Sequence, residues 1–144
     1  MTTNGILLDK YIDFLIEHNF RILVSLDGNC DNNSYRKFPN GNSSYKKLYK
    51  NLKQIQERHR EYFNRHIHFN TVLHDKNSIN DIYEYFLKEF DQIPSISELS
   101  IRNINIDHKD EFWKFFNNRP KSLMEIQNKN ISEQIFKLLP QNKC

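Results

Sequence analysis

Phe20-Arg21-Ile22-Leu23-Val24-Ser25-Leu26-Asp27-Gly28 is the stretch on which the fold turns. The run is almost continuously apolar as far as Leu26 and stops at Asp27-Gly28, a turn dipeptide. Runs of this kind suit parallel strands, which are usually buried on both faces. Immediately upstream, Leu7 to His18 sets Leu8, Tyr11, Ile12, Leu15 and Ile16 at helical spacing, with Asp9 in the first turn where a negative charge suits the helix dipole. Before that, Thr2-Thr3-Asn4 reads as the tail of another strand.

Downstream the alternation continues. Asn29 to Asn42 is polar, and Pro39-Asn40-Gly41 marks a turn. Ser43 or Ser44 is placed to cap a helix that carries Tyr45, Leu48, Tyr49, Leu52 and Ile55 on one face. His66 to Leu73 is a strand candidate, rich in β-branched and aromatic residues. Asn77 or Ser78 opens a helix through Ile79, Ile82, Tyr83, Phe86, Leu87 and Phe90, closed by Pro94. Leu99 to Ile106 is the expected last strand, followed by a short helix from Glu111 to Phe116 and an amphipathic piece from Ile131 to Leu139. Alternating strands and helices predict an α/β protein of about four parallel strands. Four strands do not close a barrel, which takes about eight, or about six when left partly open.

Composition narrows the partners. Of 144 residues, 38% are hydrophobic and 27% charged, and the net charge of +3 demands neither a nucleic acid nor a membrane. No apolar run approaches the roughly 18 residues that span a bilayer, and the N-terminus lacks the pattern of a signal peptide. The cytoplasm is the expected location. Only two cysteines occur, Cys30 and Cys144, far apart in sequence. That pattern offers no disulfide framework and no zinc spacing.

Polar residues at the C-terminal ends of parallel strands sit where α/β barrels place their chemistry. Asn4 and the Ser25–Asp27 pair hold such positions: Ser25 offers a hydroxyl, Asp27 an acceptor, and Gly28 lets the backbone turn sharply. Thr2-Thr3-Asn4-Gly5 and Ser25-Leu26-Asp27-Gly28 resemble two segments of the radical S-adenosylmethionine (SAM) enzymes of the SPASM-containing group. These are the anaerobic sulfatase maturases and related peptide maturases. The resemblance continues, in order, through Tyr35-Arg36, Phe38, Asn40-Gly41, Ser44-Tyr45, Asn51-Leu52 and Asn70-Thr71-Val72-Leu73. It covers roughly residues 2 to 90. Where the family has His-Asp before Tyr-Arg, this chain has Asn32-Asn33-Ser34 and a loop one residue shorter.

The resemblance implies strands three to six of a radical SAM barrel over residues 1–117, with a helical tail at 118–144. It implies that Ser25 and Arg36 bind the carboxylate of SAM, a role that guanidinium chemistry fits well. Asp27, Asn4, Asn70 and Val72 would line the same face. It further implies a [4Fe–4S] cluster, radical modification of a peptide or protein side chain, and a peptide substrate. The cluster takes about three or four thiolates, and the family's Cys-x-x-x-Cys-x-x-Cys loop is absent from these residues. No residue is therefore assigned a catalytic role, and a truncated maturase-like chain, inactive alone, is expected. The alternatives are half of a split enzyme completed by a partner chain, or a non-catalytic binding module.

Other features have blander readings. His66-Ile67-His68 sets two imidazoles on one strand face, but no third ligand stands near them in sequence, so no metal site is expected. Lys46, Lys47, Lys50, Lys53, Arg58 and Arg60 read as a solvated helix face rather than a nucleic-acid track. Phe112, Trp113, Phe115 and Phe116 read as core, or as surface that meets other parts of a barrel.

Overall fold

The computed structural model describes residues 1–118 apart from positions 101, 103 and 105. The elements run β1 (Thr2–Thr3), α1 (Leu8–Glu17), β2 (Ile22–Ser25), α2 (Tyr45–Arg58), α3 (Arg60–His66), β3 (Ile67–Leu73), α4 (Ile79–Phe90), β4 (Ser95–Glu98) and α5 (Lys109–Asn118), with 3-10 turns at Asn32–Tyr35 and Ile106–His108. The four strands form one sheet in the order β1-β2-β3-β4, every pair parallel. Among the described residues the sheet is open, with β1 and β4 at its edges.

The period of two along β2 and β3 sorts their side chains between the two faces. Ile22, Val24, Leu26, Ile67, Phe69 and Leu73 are buried in a core with Leu8, Ile12 and Leu15 of α1, Leu48, Leu52 and Ile55 of α2, and Ile82, Phe86 and Phe90 of α4. Phe63 of α3, Phe69, Phe86 and Phe90 form an aromatic cluster with ring centroids 4.8–6.2 Å apart. The alternate residues Leu23, Ser25, Asn70 and Val72 are only half-buried and His68 is exposed. The helices therefore cover one face of the sheet.

Local chemistry fixes the turns that lead into this sheet. Gly5 adopts φ +73°, and a β-carbon there would overlap Leu48. Asn51 of α2, 1% exposed, donates from Nδ2 to the carbonyls of Gly5 and Ile6 at 3.0 Å each, pinning the β1–α1 turn to the next helix. Ser78 Oγ accepts the Asp81 N–H at 3.1 Å and starts α4 as the sequence suggests. Asp91, at φ 53°, ends that helix three residues before Pro94.

Three expectations change, and one helix is added. The helix α3 lacks a marker in sequence: His59, at φ −133° and ψ 49°, breaks the helix from α2 without a glycine or proline. Among the described residues the last strand is Ser95–Glu98; of the expected Leu99–Ile106, positions 101, 103 and 105 lie outside them and Ile106 opens a 3-10 turn. Proline is tolerated at a strand's start, so pairing resumes directly after Pro94 and runs from Asn70↔Ser95 to Leu73↔Glu98, where β3 ends. Tyr11, expected on the buried stripe of α1, is 48% exposed. Ser44 makes no capping bond; its hydroxyl donates to the Arg36 carbonyl at 2.8 Å, while Ser43 Oγ accepts the Tyr45 N–H at 3.3 Å. The amphipathic piece Ile131–Leu139, and nearly all of the tail at 118–144, lie outside the described residues.

Candidate functional site

The C-terminal ends of β2 and β3 bring most of the singled-out residues together. Register places Ser25 beside Asn70, Asn70 beside Ser95, and Val72 beside Ser97, all on the face without helices. Asn70 Oδ1 accepts the Ser97 hydroxyl at 2.7 Å. The hydroxyl of Ser25 has no hydrogen-bond partner among the described residues. Asn4 is exposed one residue past the Thr3–Val24 pair, and its Oδ1 accepts the Ile6 N–H at 3.2 Å, a local turn bond.

Asp27 is the hub. It is 3% exposed, and a buried carboxylate needs partners for its charge. Arg36 supplies them as a bidentate fork: Nε donates to Oδ2 at 2.7 Å and Nη2 to Oδ1 at 2.8 Å. The Val72 N–H donates to Oδ1 at 2.9 Å, tying the loop after β2 to β3. The backbone of Asp27 is held as firmly, with its N–H on Asn33 Oδ1 at 3.1 Å and its carbonyl on Asn77 Nδ2 at 3.1 Å. Asp27 thus accepts three hydrogen bonds from within the protein, two on Oδ1 and one on Oδ2. Arg36 is different: the pair leaves its Nη1 uncommitted to Asp27, and its side chain is 27% exposed.

A cavity of about 290 Å³ adjoins this pair, lined by Arg36, Tyr35, Val72, His74, Leu99 and Phe112 beside Asp27. Tyr35 donates its hydroxyl to Asp75 at 3.0 Å, packs edge-on against His74 with centroids 5.1 Å apart, and lies under Lys76. Burial, with the Asp75 carboxylate beside it, pushes the Tyr35 phenol well above its usual range. His74 is buried, and desolvation holds its imidazole pKa below the usual value against the opposing pull of Asp27 and Asp75. Its Nδ1 accepts the Lys76 N–H at 3.1 Å. The wall is mostly apolar, with one guanidinium at its edge.

His74, Asn33 and Asn77 were not anticipated as parts of this site. The readable signal is that each is a buried polar side chain, which obliges it to find partners. The imidazole pair separates: His66 belongs to α3 and stacks on Tyr62 with centroids 4.8 Å apart, while His68 projects from β3. Among the described residues no three His, Cys, Asp or Glu side chains group to hold a metal. Cys30 is exposed, and two cysteines in 144 residues do not fit a cluster that takes about three or four thiolates. SAM fits better, because Arg36 keeps a donor uncommitted to Asp27 beside an apolar-walled cavity.

No protein-family model and no curated protein matches the chain. Solved structures do. A native anaerobic sulfatase-maturating enzyme, anSMEcpe, with bound AdoMet and Cp18Cys peptide superposes with a TM-score of 0.57 and 21% identity over 67% of this chain and 27% of that one. The same enzyme with AdoMet and Kp18Cys peptide gives 0.58 and 19% over 72% and 30%. With AdoMet alone it gives 0.57 and 21% over 67% and 26%. The chain spans little more than a quarter of the length of these structures. At such identities the likeness speaks for the fold: four parallel strands with flanking helices, unclosed, in the arrangement of part of a radical SAM barrel.

Proposed function

We propose that this chain carries part of the SAM-binding wall of a radical SAM barrel of the peptide- or sulfatase-maturase type. The observation that carries the reading is the apolar-walled cavity beside the Arg36–Asp27 pair, at the C-terminal ends of parallel strands and two residues beyond Ser25 of β2. The superposed maturases hold AdoMet and peptides. Arg36 Nη1 and the Ser25 hydroxyl would receive the SAM carboxylate; Asp27 acts one step back, holding the guanidinium in place by its two-point pair. Val72, Leu99 and Phe112 give the adjoining cavity its apolar wall, while Asn70 lies beside Ser25 in the sheet and Asn4 follows the end of β1. SAM supplies radical chemistry only beside a reduced iron–sulfur cluster, and two cysteines cannot tether one. These 144 residues therefore bind SAM without turning it over, and a peptide is the substrate class of the complete site.

Calorimetry with SAM tests this reading. The wild-type chain should bind one SAM, and Ser25→Ala and Arg36→Ala should each weaken it by about tenfold, the worth of a hydrogen bond to a charged group. Since Arg36→Ala also strips Asp27 of its partner, circular dichroism must show that the fold persists. Equal affinity in all three proteins would remove both residues from the site.

A second reading has its own observation. Leu7, Tyr11 and Phe14 lie on one side of α1 and are 59%, 48% and 53% exposed, next to the edge strand β1. An apolar strip beside an unpaired edge suits a further strand–helix unit of a barrel, supplied by more of the same protein or by a partner chain.

A further inference from the structure

At the opposite end of the sheet, where the strands begin, lies a cavity of about 440 Å³ that the reading above leaves unused. The break at His59 builds it. By ending α2 and starting α3 two residues later, the break turns Arg58, Arg60 and Arg65 toward one hollow, with His59 and His66 on its wall. Arg65 pairs with Glu61 at 3.0 Å, four residues earlier on α3. Arg58 and Arg60 have no carboxylate within ion-pair distance among the described residues. Two guanidiniums beyond the number of carboxylates in the hollow leave a net positive field there. His66 Nδ1 is buried without a hydrogen-bond partner, its ring fixed by the stack on Tyr62. Uncommitted planar forks around one concavity are the donor set that a phosphate group accepts.

We propose that this hollow binds the phosphate or diphosphate moiety of a small molecule, through Arg58 and Arg60 with His66 behind them. The size and surroundings favour a short anion over a nucleic-acid strand. Of the lysines that would extend a track along α2, Lys47 is tied to Asp9 and Lys53 to Glu89. Asp13, 4.0 Å from His59, and Glu61 set carboxylates at the rim, where a longer polyanion would be repelled.

The test is a calorimetric titration with inorganic pyrophosphate at neutral pH and physiological salt. It compares the wild-type chain, Arg58→Ala/Arg60→Ala, and Lys88→Ala as a control at an exposed position of α4. Arg58, Arg60 and Lys88 are all exposed, so the variants keep the fold, which circular dichroism checks. Saturable one-site binding is expected, weakened by about tenfold or more in the double variant and unchanged in Lys88→Ala. SAM affinity should be the same in all three, which separates failure here from failure at Arg36. No saturable binding, or equal affinity across the three proteins, overturns the proposal. So does a single-stranded oligonucleotide that binds more tightly than pyrophosphate, which would make the hollow a nucleic-acid contact.

Discussion

The two faces of the sheet differ as sharply as the inside and outside of a protein, although they share the same strands. On the helix-covered face β2 and β3 present Ile22, Val24, Ile67, Phe69 and Leu73, each 1% exposed or less. On the other, the same strands present Ser25, His68 and Asn70 with Leu23 and Val72, none fully buried. A parallel sheet wrapped by helices on both sides would be apolar on both. Ser25 of β2 with His68 and Asn70 of β3 instead mark a face that is covered by something other than an apolar layer. The interior of a barrel around a polar ligand is such a place.

That contrast can be tested at neighbouring positions of one strand. Phe69→Ala should cost about 3–5 kcal/mol, because the cavity it leaves lies among Phe63, Phe86 and Phe90 and cannot close. Chemical denaturation measures this loss, and a cost below about 1 kcal/mol would mean that the helices do not pack on β3 as described. Next door, Asn70→Ala removes one half-exposed hydrogen bond to Ser97 and should cost about 1 kcal/mol or less. A loss as large as that of Phe69→Ala would erase the distinction between the faces.

The smallest expected effect is a pH dependence at the end of β3. Burial lowers the folded-state pKa of His74, so the unfolded chain takes up a proton first on acidification. The stability of keeping this imidazole neutral is complete above about pH 6.5, the ordinary histidine value, and drains away as the pH falls below it. The urea midpoint of the wild type should therefore fall between pH 7 and 5.5 more steeply than that of His74→Gln. Parallel profiles would place the histidine in water.

Much of the fold was legible because periodicity reports directly on burial. The stripe Leu48, Leu52, Ile55 and the stripe Ile79, Ile82, Phe86, Phe90 are buried as their spacing requires. Strand β4 was misplaced by one segment: Leu99 to Ile106 alternates more convincingly than Ser95-Ile96-Ser97-Glu98, but the free edge of β3 is used up at Leu73. The candidate site was legible only in part. Ser25, Asp27, Arg36, Asn70 and Val72 were all named, yet the pairing that separates Asp27 from Arg36 in role was not. It joins residues nine apart around a loop that holds only a short 3-10 turn, so no helix or strand spacing rule encodes it.

By itself the sequence determined the α/β alternation, the parallel strands and the inward sides of α2 and α4. These follow from hydrophobic spacing, a one-dimensional property. Tertiary structure alone decided that Asp27 holds Arg36 by a two-point pair, that Asn51 locks the turn at Gly5, and that a break at His59 gathers arginines into one hollow. Hydrogen bonds and ion pairs depend on distances of about 3 Å and on direction, and only the folded chain fixes those between residues far apart in sequence.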